Sequence, residues 1–234
     1  MRINQYLARC GIGSRRNVEH LILNHRVSVN GEIVEALSFK VQEGDLVMVD
    51  SKVVRPLESV YIVMNKPRGV VCAVRDPRCR TVLDILPFRI RQLAPFPVGR
   101  LDKDSQGLLI LTNDGDFCDS LLHPSRGIIK TYEVDLDGEV RSDLLDRMRC
   151  GIWSEGEFLK PVSVDRIGRD KIRVELQEGK KREIRRMVAS LGLRVRCLLR
   201  RKIGRMELRH LPYGGFALFS KDDMWHHITV GGMV

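Results

Sequence analysis

The sequence predicts an α+β protein, in which a small N-terminal α+β module precedes a larger domain built on a mixed, mainly antiparallel sheet. Three observations predict it. The chain has 234 residues, which suits one or two domains with enough length to bury a core. Hydrophobic residues make up 43% and charged residues 30%, an ordinary balance for a folded soluble chain. Short alternating apolar runs recur between helical patches, without the regular strand–helix alternation of a doubly wound parallel sheet.

In order along the chain, Ile3, Tyr6 and Leu7 stand at helical spacing, and Gly11 and Gly13 break that helix. Ser14 is placed to cap a second helix, in which Val18, Leu21 and Ile22 repeat on one face while Arg15, Arg16 and Glu19 fall toward the polar side. Arg26, Val27 and Val29 lead into Asn30-Gly31, a hairpin signal, and residues 46–49 read as a returning strand. This module is assigned to residues 1–52, and a charged bend at 51–59 is read as the linker.

Residues 60–234 form the second domain. "VYIVMNK" reads as a strand stopped by Lys66-Pro67-Arg68-Gly69, with Lys66 and Pro67 shaping the turn, and "GVVCAV" as another strand. "TVLDILP" is a short helix, "GLLILTN" a buried strand, and His123-Pro124 a helix end. "KTYEVDL" and "KIRVELQ" are half-buried strands, and "KREIRRMVASLG" is a helix closed by Gly192. "RVRCLLRRKIG" alternates bases with apolar residues, as expected of a strand whose outer face is positive.

Charge narrows the function. Forty Lys and Arg stand against thirty Asp and Glu, a net charge of +10. Residues 179–206 hold eleven bases and one acid, Glu183, so this segment alone carries the whole excess. A polyanion rewards such clustering because each neutralised phosphate releases condensed counterions, and nucleic acid is the predicted partner ahead of an acidic membrane surface or a solvated basic helix. No stretch reaches the ~18 apolar residues of a membrane span, and Met1 to Cys10 lacks the pattern of a secretion signal, so a cytoplasmic location is expected. The six cysteines (10, 72, 79, 118, 150, 197) show no metal-ribbon spacing and are expected to be reduced thiols, mostly small core residues. No phosphate-binding glycine loop supports a nucleotide cofactor, and adjacent His226 and His227 point in different directions, so no metal is assigned.

The candidate chemistry lies in "VGRLDKDSQGLLILTNDGD". Asp102 and Asp104 are two residues apart and can serve as an acid/base pair or metal ligands, as can Asp114 and Asp116, although carboxylates also recur in turns for backbone reasons. Tyr132 shares one strand face with Val134 and Leu136, which fits packing and function equally.

Two resemblances weigh on this reading. "RINQYLARCGIGSRRNVEHLILNHRVSVNG" resembles the alpha-L RNA-binding module first described in ribosomal small-subunit protein four, which implies that Arg15, Arg16 and Arg26 face structured RNA. "NKPRG", "VGRLDKDSQGLLILTNDGD", "KTYEV" and "EGKKREIRRM", in that order, are similar to the pseudouridine synthases that modify small- and large-subunit ribosomal RNA. The resemblance implies a pseudouridine synthase catalytic domain in which Asp102 is the essential carboxylate, Tyr132 lies against the target uracil, Arg185 pairs with the aspartate and Ile184 packs on the base. Position and charge then make Arg100, close to Asp102, a candidate contact to the displaced nucleotide or its phosphate, Lys180 and Arg182 expected contacts to the RNA backbone, and Arg186 a contact of either kind. No cofactor is implied, and a monomer is. Ser105 stands where threonine is common, and residues 181–183 are one of several variants, which bears on the target site rather than on catalysis.

The predicted function is therefore isomerisation of one uridine to pseudouridine in ribosomal RNA or a pre-ribosomal particle, with large-subunit RNA favoured by "ARCGIGSRR". A non-catalytic RNA-binding or ribosome-assembly factor would share the charge and the first module but has no need of Asp102 beside Arg185. A carboxylate-dependent hydrolase or nuclease using Asp102 and Asp104 would cleave a strand or release a base and would call for a divalent metal.

Overall fold

The computed structural model describes residues 1–234, which divide into two compact units: residues 1–59 with 88–94, and residues 60–87 with 95–234.

The first unit holds helices α1 (Ile3–Arg9) and α2 (Arg15–Leu23), strands β1 (Val27–Val29), β2 (Glu32–Ile33), β3 (Val47–Val49) and β4 (Lys52–Val53), and the short helix α3 (Phe88–Arg91). The Ser14 hydroxyl accepts the Asn17 N–H at 3.2 Å and caps α2. Ile3, Leu7, Val18 and Ile22 from the helices meet Val27, Val29, Val47 and Val49 from the strands in one core. Asn30 and Gly31 both take positive φ (54° and 89°), the geometry of the β1–β2 hairpin turn. The stretch read as a linker begins inside a second hairpin: Asp50 and Ser51, at φ 49° and 62°, turn β3 into β4. Residues 88–94, read from sequence as part of the second domain, cluster here instead. A Cβ on Gly11 would lie 2.8 Å from Leu57 Cδ1 and 3.6 Å from Ala94 Cβ, so this glycine admits both segments.

In the second unit, β5 (Tyr61–Lys66), β6 (Phe96–Val98) and β7 (Gln106–Thr112) precede α4 (Gly115–Leu122), β8 (Lys130–Leu136) and α5 (Ser142–Cys150). Then come β9 (Ile152–Ser154), β10 (Glu157–Leu159), β11 (Ser163–Arg166), β12 (Lys171–Leu176), α6 (Glu183–Ser190) and β13 (Val195–Ile203). The chain closes with β14 (Met206–Glu207), β15 (Phe216–Phe219), α7 (Lys221–Thr229) and β16 (Gly232–Met233). The main path of the sheet runs β11-β12-β8-β13-β7-β5-β15. Every pair on that path is antiparallel except β13–β7, which is parallel through Leu199↔Gln106 and Arg200↔Gly107. Gly107 makes that seam possible, because a Cβ there would stand 2.4 Å from the Arg200 carbonyl oxygen.

Two apolar cores result. One joins Val134, Leu136, Ile172 and Val174 of the sheet to α5 and α6 through Leu144, Met148, Ile184 and Met187. The other joins Val63, Leu108 and Ile110 to α4 and α7 through Phe117, Leu121, Met224 and Ile228. No helix is long and apolar enough to cross a membrane.

Several local expectations change. "GVVCAV" is not a strand, since Val71 makes only an isolated bridge to Thr81, and "TVLDILP" closes to one 3₁₀ turn at Leu83–Ile85. No cysteine is fully buried: five are half-buried and Cys150 is exposed, and none is in a disulfide. The largest correction concerns β13. It lies between β8 and β7, and its bases do not form an open positive face. Arg200 is buried, with Nε donating to the Leu108 carbonyl at 2.7 Å, while Arg196 pairs with Asp170, Arg201 with Glu133 at 2.9 Å and Lys202 with Glu207 at 3.3 Å. A register shift between Arg200 and Lys202 breaks the simple alternation on which the outward reading rested.

Candidate active site

The segment 99–105 leaves β6 and enters β7 as a tight loop, closed by the Ser105 N–H donating to the Asp102 carbonyl at 3.0 Å. The loop is held from beneath by Lys66, at the end of β5. Its side chain has no solvent exposure, and Nζ donates to the carbonyl oxygens of Pro67 (3.0 Å), Asp102 (3.2 Å) and Ser105 (2.7 Å). Three acceptors match the three donors of an ammonium group. Burial pulls the Lys66 amine below its usual range, against nearby Cys72, Asp104 and Asp102, which favour the charge. Cys72 adds a second brace, its sulfur accepting the Leu101 N–H at 3.3 Å, and burial pushes its thiol up. Sequence reasoning gave Lys66 only a turn-shaping role. Burial of a lysine needs partners that come from 36 and 39 residues away, so no local pattern announces it.

Opposite the loop, the chain turns from β12 into α6. Arg182 precedes the helix in the left-handed region (φ 52°), and the Glu183 carboxylate accepts the Lys180 N–H at 3.0 Å. Burial raises the Glu183 carboxyl above its ordinary value, although that hydrogen bond pulls the other way. The first turn of α6 then presents Ile184 inward and Arg185 toward the loop.

Arg185 is fixed at several points. Its Nη2 lies 3.1 Å from Asp104 Oδ2 and donates to the Asp104 carbonyl at 3.2 Å and to Ser105 Oγ at 3.4 Å, while Nη1 donates to the Val195 carbonyl at 3.3 Å. Its Nε is buried without a hydrogen-bond partner and stands 3.9 Å from Asp102 Oδ2. Burial lowers the guanidinium from its ordinary value, with Asp104 as the main opposing charge, and an arginine stays protonated regardless. Arg182 spans the two carboxylates from the outside, 3.6 Å from Asp102 Oδ2 and 3.5 Å from Asp104 Oδ1.

A cavity of about 70 Å³ opens between these elements. Arg100, Asp102, Tyr132, Lys180, Arg182, Ile184 and Arg185 line it, so seven residues singled out in the sequence come together from three separate segments. Leu101, Leu176 and Leu198 add an apolar floor, and Tyr132, 6% exposed, also belongs to the core beneath. The arrangement offers a carboxylate between two guanidinium groups, in one cavity with a tyrosine and an apolar surface.

The other candidates fall elsewhere. Arg186 faces a second cavity, with Nη1 held by Glu157 at 2.6 Å and Nη2 donating to the Ser154 carbonyl. Arg15 and Arg16 are exposed in the first turn of α2 in the first unit. Arg26 is held by both carboxylate oxygens of Asp50, at 2.7 and 2.6 Å. Asp114 and Asp116 are not a catalytic pair: Asp114 caps α4 and accepts from Tyr61 Oη at 2.7 Å and Lys221 Nζ at 2.9 Å. No group of three or more His, Cys, Asp or Glu side chains is placed to hold a metal ion.

Comparison with known proteins bears on the two units and on the chain as a whole. The family model described as RNA pseudouridylate synthase matches residues 60–190, and the S4 domain model matches residues 1–47. An uncharacterised RNA pseudouridine synthase of Aquifex aeolicus is 40% identical over 221 residues, 92% of this chain and 88% of that protein. The ribosomal large subunit pseudouridine synthase B of Bacillus subtilis is 36% identical over 219 residues, 91% of this chain and 89% of that protein. A crystal structure of a pseudouridylate synthase superposes with a TM-score of 0.70 at 27% identity, covering 96% of this chain and 98% of the other.

Proposed function

This chain belongs to the RNA pseudouridylate synthase family, and we propose that it isomerises a specific uridine to pseudouridine in ribosomal RNA, of the large subunit in preference to the small. The observation that carries the reading is the single cavity in which Asp102, Tyr132 and Arg185 meet. The large-subunit preference is supported by the Bacillus subtilis relative, whose name assigns it to that subunit.

Isomerisation breaks the bond between uracil N1 and ribose C1′, turns the base and joins C5 to C1′, and the proton lost from C5 is balanced by the one gained at the freed N1. No electrons are gained or lost overall. Asp102 supplies the carboxylate that acts on the ribose, either as nucleophile at C1′ or as base toward a ribose proton, and both routes start from the ionised form. Arg185 and Arg182 favour that form by charge, and Arg185 fixes its direction. Tyr132 gives the uracil an aromatic face and places a hydroxyl near C5, while Ile184 packs against the base. Arg100, Lys180 and Arg182 take the displaced nucleotide and its phosphates. The cavity is small, about 70 Å³, and Arg182, whose side chain is 46% exposed, swings from the carboxylates onto the RNA as the base enters. Taking the base from its stack costs a few kcal/mol, supplied by contacts elsewhere, including those of Arg15 and Arg16 in the first unit. Arg26 contacts RNA beside its Asp50 partner.

The test is to map pseudouridine in ribosomal RNA from cells lacking the protein and restored with the native chain or with Asp102→Asn. One large-subunit site should be lost and should return only with the native chain. Loss at a small-subunit site would overturn the subunit preference alone. An unchanged map would place the protein with non-catalytic RNA-binding factors.

A further inference from the structure

The β9–β10 hairpin stands apart from the main sheet and has two unlike faces. On one, Ile152 packs against the core and Leu159 is fully buried. On the other, Trp153 and Phe158 stand directly opposite each other across the strands, 72% and 41% exposed, with ring centroids 5.5 Å apart and planes at 50°. A tryptophan so exposed on an ordered strand calls for an explanation.

The hairpin is firmly anchored. Arg186, only 9% exposed, grips it through Glu157, the Ser154 carbonyl and Glu155, and Lys180 Nζ donates to the Phe158 carbonyl at 2.9 Å. Gly151, at φ 94°, lets the tip of the Phe158 ring approach the backbone, since a Cβ there would meet Cζ of that ring at 2.3 Å. The same residues connect it to the reaction centre. Ser154 and Glu155 form one wall of a cavity of about 470 Å³, whose other wall carries Arg182, Arg185 and Arg186. Arg182 and Arg185 also line the Asp102 cavity, so the two cavities adjoin.

From this we infer that Trp153 and Phe158 form a stacking platform for an unpaired base of the substrate RNA near the target uridine, with Arg182 guiding the intervening backbone. The inference rests on the RNA-modifying function proposed above. Two rings are the right size for one or two bases and far smaller than a stable protein interface, and Lys180, whose Nζ is hydrogen-bonded to the Phe158 carbonyl, also lines the Asp102 cavity and so links the platform to the reaction centre through a positive charge. Any base has a π-face, so the platform adds affinity and orientation without reading sequence.

The experiment measures pseudouridine formation on large-subunit ribosomal RNA, both as a protein-free transcript and in immature ribosomal particles from cells lacking the protein, by the native chain and by Trp153→Ala, Trp153→Leu and Trp153→Phe. It is paired with quenching of tryptophan emission by a short single-stranded oligouridylate. Trp153→Ala and Trp153→Leu should raise KM about tenfold with a much smaller change in kcat, and Trp153→Phe should recover most of the loss. Oligouridylate should quench the native emission and leave that of Trp153→Phe, which retains only Trp225, largely unquenched. Equal KM for all four proteins, or quenching that survives Trp153→Phe, overturns the platform. So does a defect seen only on ribosomal particles, which would mark a protein-docking face. A native chain that makes no pseudouridine fails the functional reading, and the quenching arm still decides the platform.

Discussion

The ammonium group of Lys66 donates to the backbone carbonyl of Asp102 at 3.2 Å, so a side chain sealed from solvent sets the position of the carboxylate-bearing residue without touching the carboxylate. Lys66→Met keeps the length of the side chain and removes all three donors; the Asp102 carbonyl keeps the Ser105 N–H, while the Pro67 and Ser105 carbonyls lose this partner. We expect a loss of about 2–6 kcal/mol in stability, measured by denaturant unfolding, because each buried group that loses its partner costs about 1–3 kcal/mol. At a temperature where the variant is still folded, kcat should fall at least tenfold, since misplacement of a reacting group by about 1 Å is worth that much or more. A folded variant with native kcat would show that Lys66 serves the fold alone.

Asp104 holds Arg185 more closely than Asp102 does, at 3.1 Å against 3.9 Å. It therefore acts as the positioning residue for the guanidinium, leaving Nε available to Asp102. Asp104→Asn should lower kcat about 10- to 100-fold with a smaller change in KM and little change in Tm. A larger effect on KM than on kcat in steady-state assays would assign Asp104 to RNA binding instead.

Glu183 carries a carboxyl raised by burial, and the hydrogen bond it accepts from the Lys180 N–H is one an amide oxygen can accept equally well. Its ionised form is the costly one. The native protein therefore loses stability relative to Glu183→Gln as pH rises from the ordinary value of 4.5 through the raised folded value. Glu183→Gln should melt higher than the native protein at neutral pH and equal to it at acid pH. Thermal scans across that range check the crossing, and a variant less stable at neutral pH would show that the charge is needed.

Asp114 behaves in the opposite sense. Burial raises its carboxyl, but the hydrogen bonds from Lys221, Tyr61 and the Phe117 N–H outweigh that and bring it to about 2. A depressed folded value stabilises the protein fully above the ordinary 3.8 and loses that contribution as pH falls toward 2. The stability at stake is on the order of 2 kcal/mol. Asp114→Asn should be destabilised by about that amount at neutral pH, with the gap closing toward pH 2 in denaturant titrations. A gap independent of pH would assign the effect to packing rather than charge.

Much of the molecule was legible from local signals. The Ser14 cap, the Asn30-Gly31 turn, the buried face of Val134 and Leu136 and the helix ending near Gly192 all rest on rules that act within a few residues. Of the site, Asp102, Tyr132 and Arg185 were legible only through the resemblance, because residue spacing alone did not separate catalytic from turn carboxylates. What escaped depends on distant partners. Asp50-Ser51 makes a hairpin without the usual glycine, and Lys66 finds its acceptors on another loop. The basic segment misled because clustered charge in sequence is not free charge in space: β13 sits mid-sheet, where Asp170, Glu133 and Glu207 pair with Arg196, Arg201 and Lys202, and Arg200 is buried.

The parallel seam between β13 and β7 also bears on biosynthesis. Until Val195–Ile203 leaves the ribosome, the half-sheet carrying Asp102 and the half-sheet carrying Tyr132 have no strand to join them. The long-range pairing that unites them comes late in translation, after every residue of the reaction centre has been made. A nascent chain thus completes its N-terminal module first and the sheet that carries its reaction centre last.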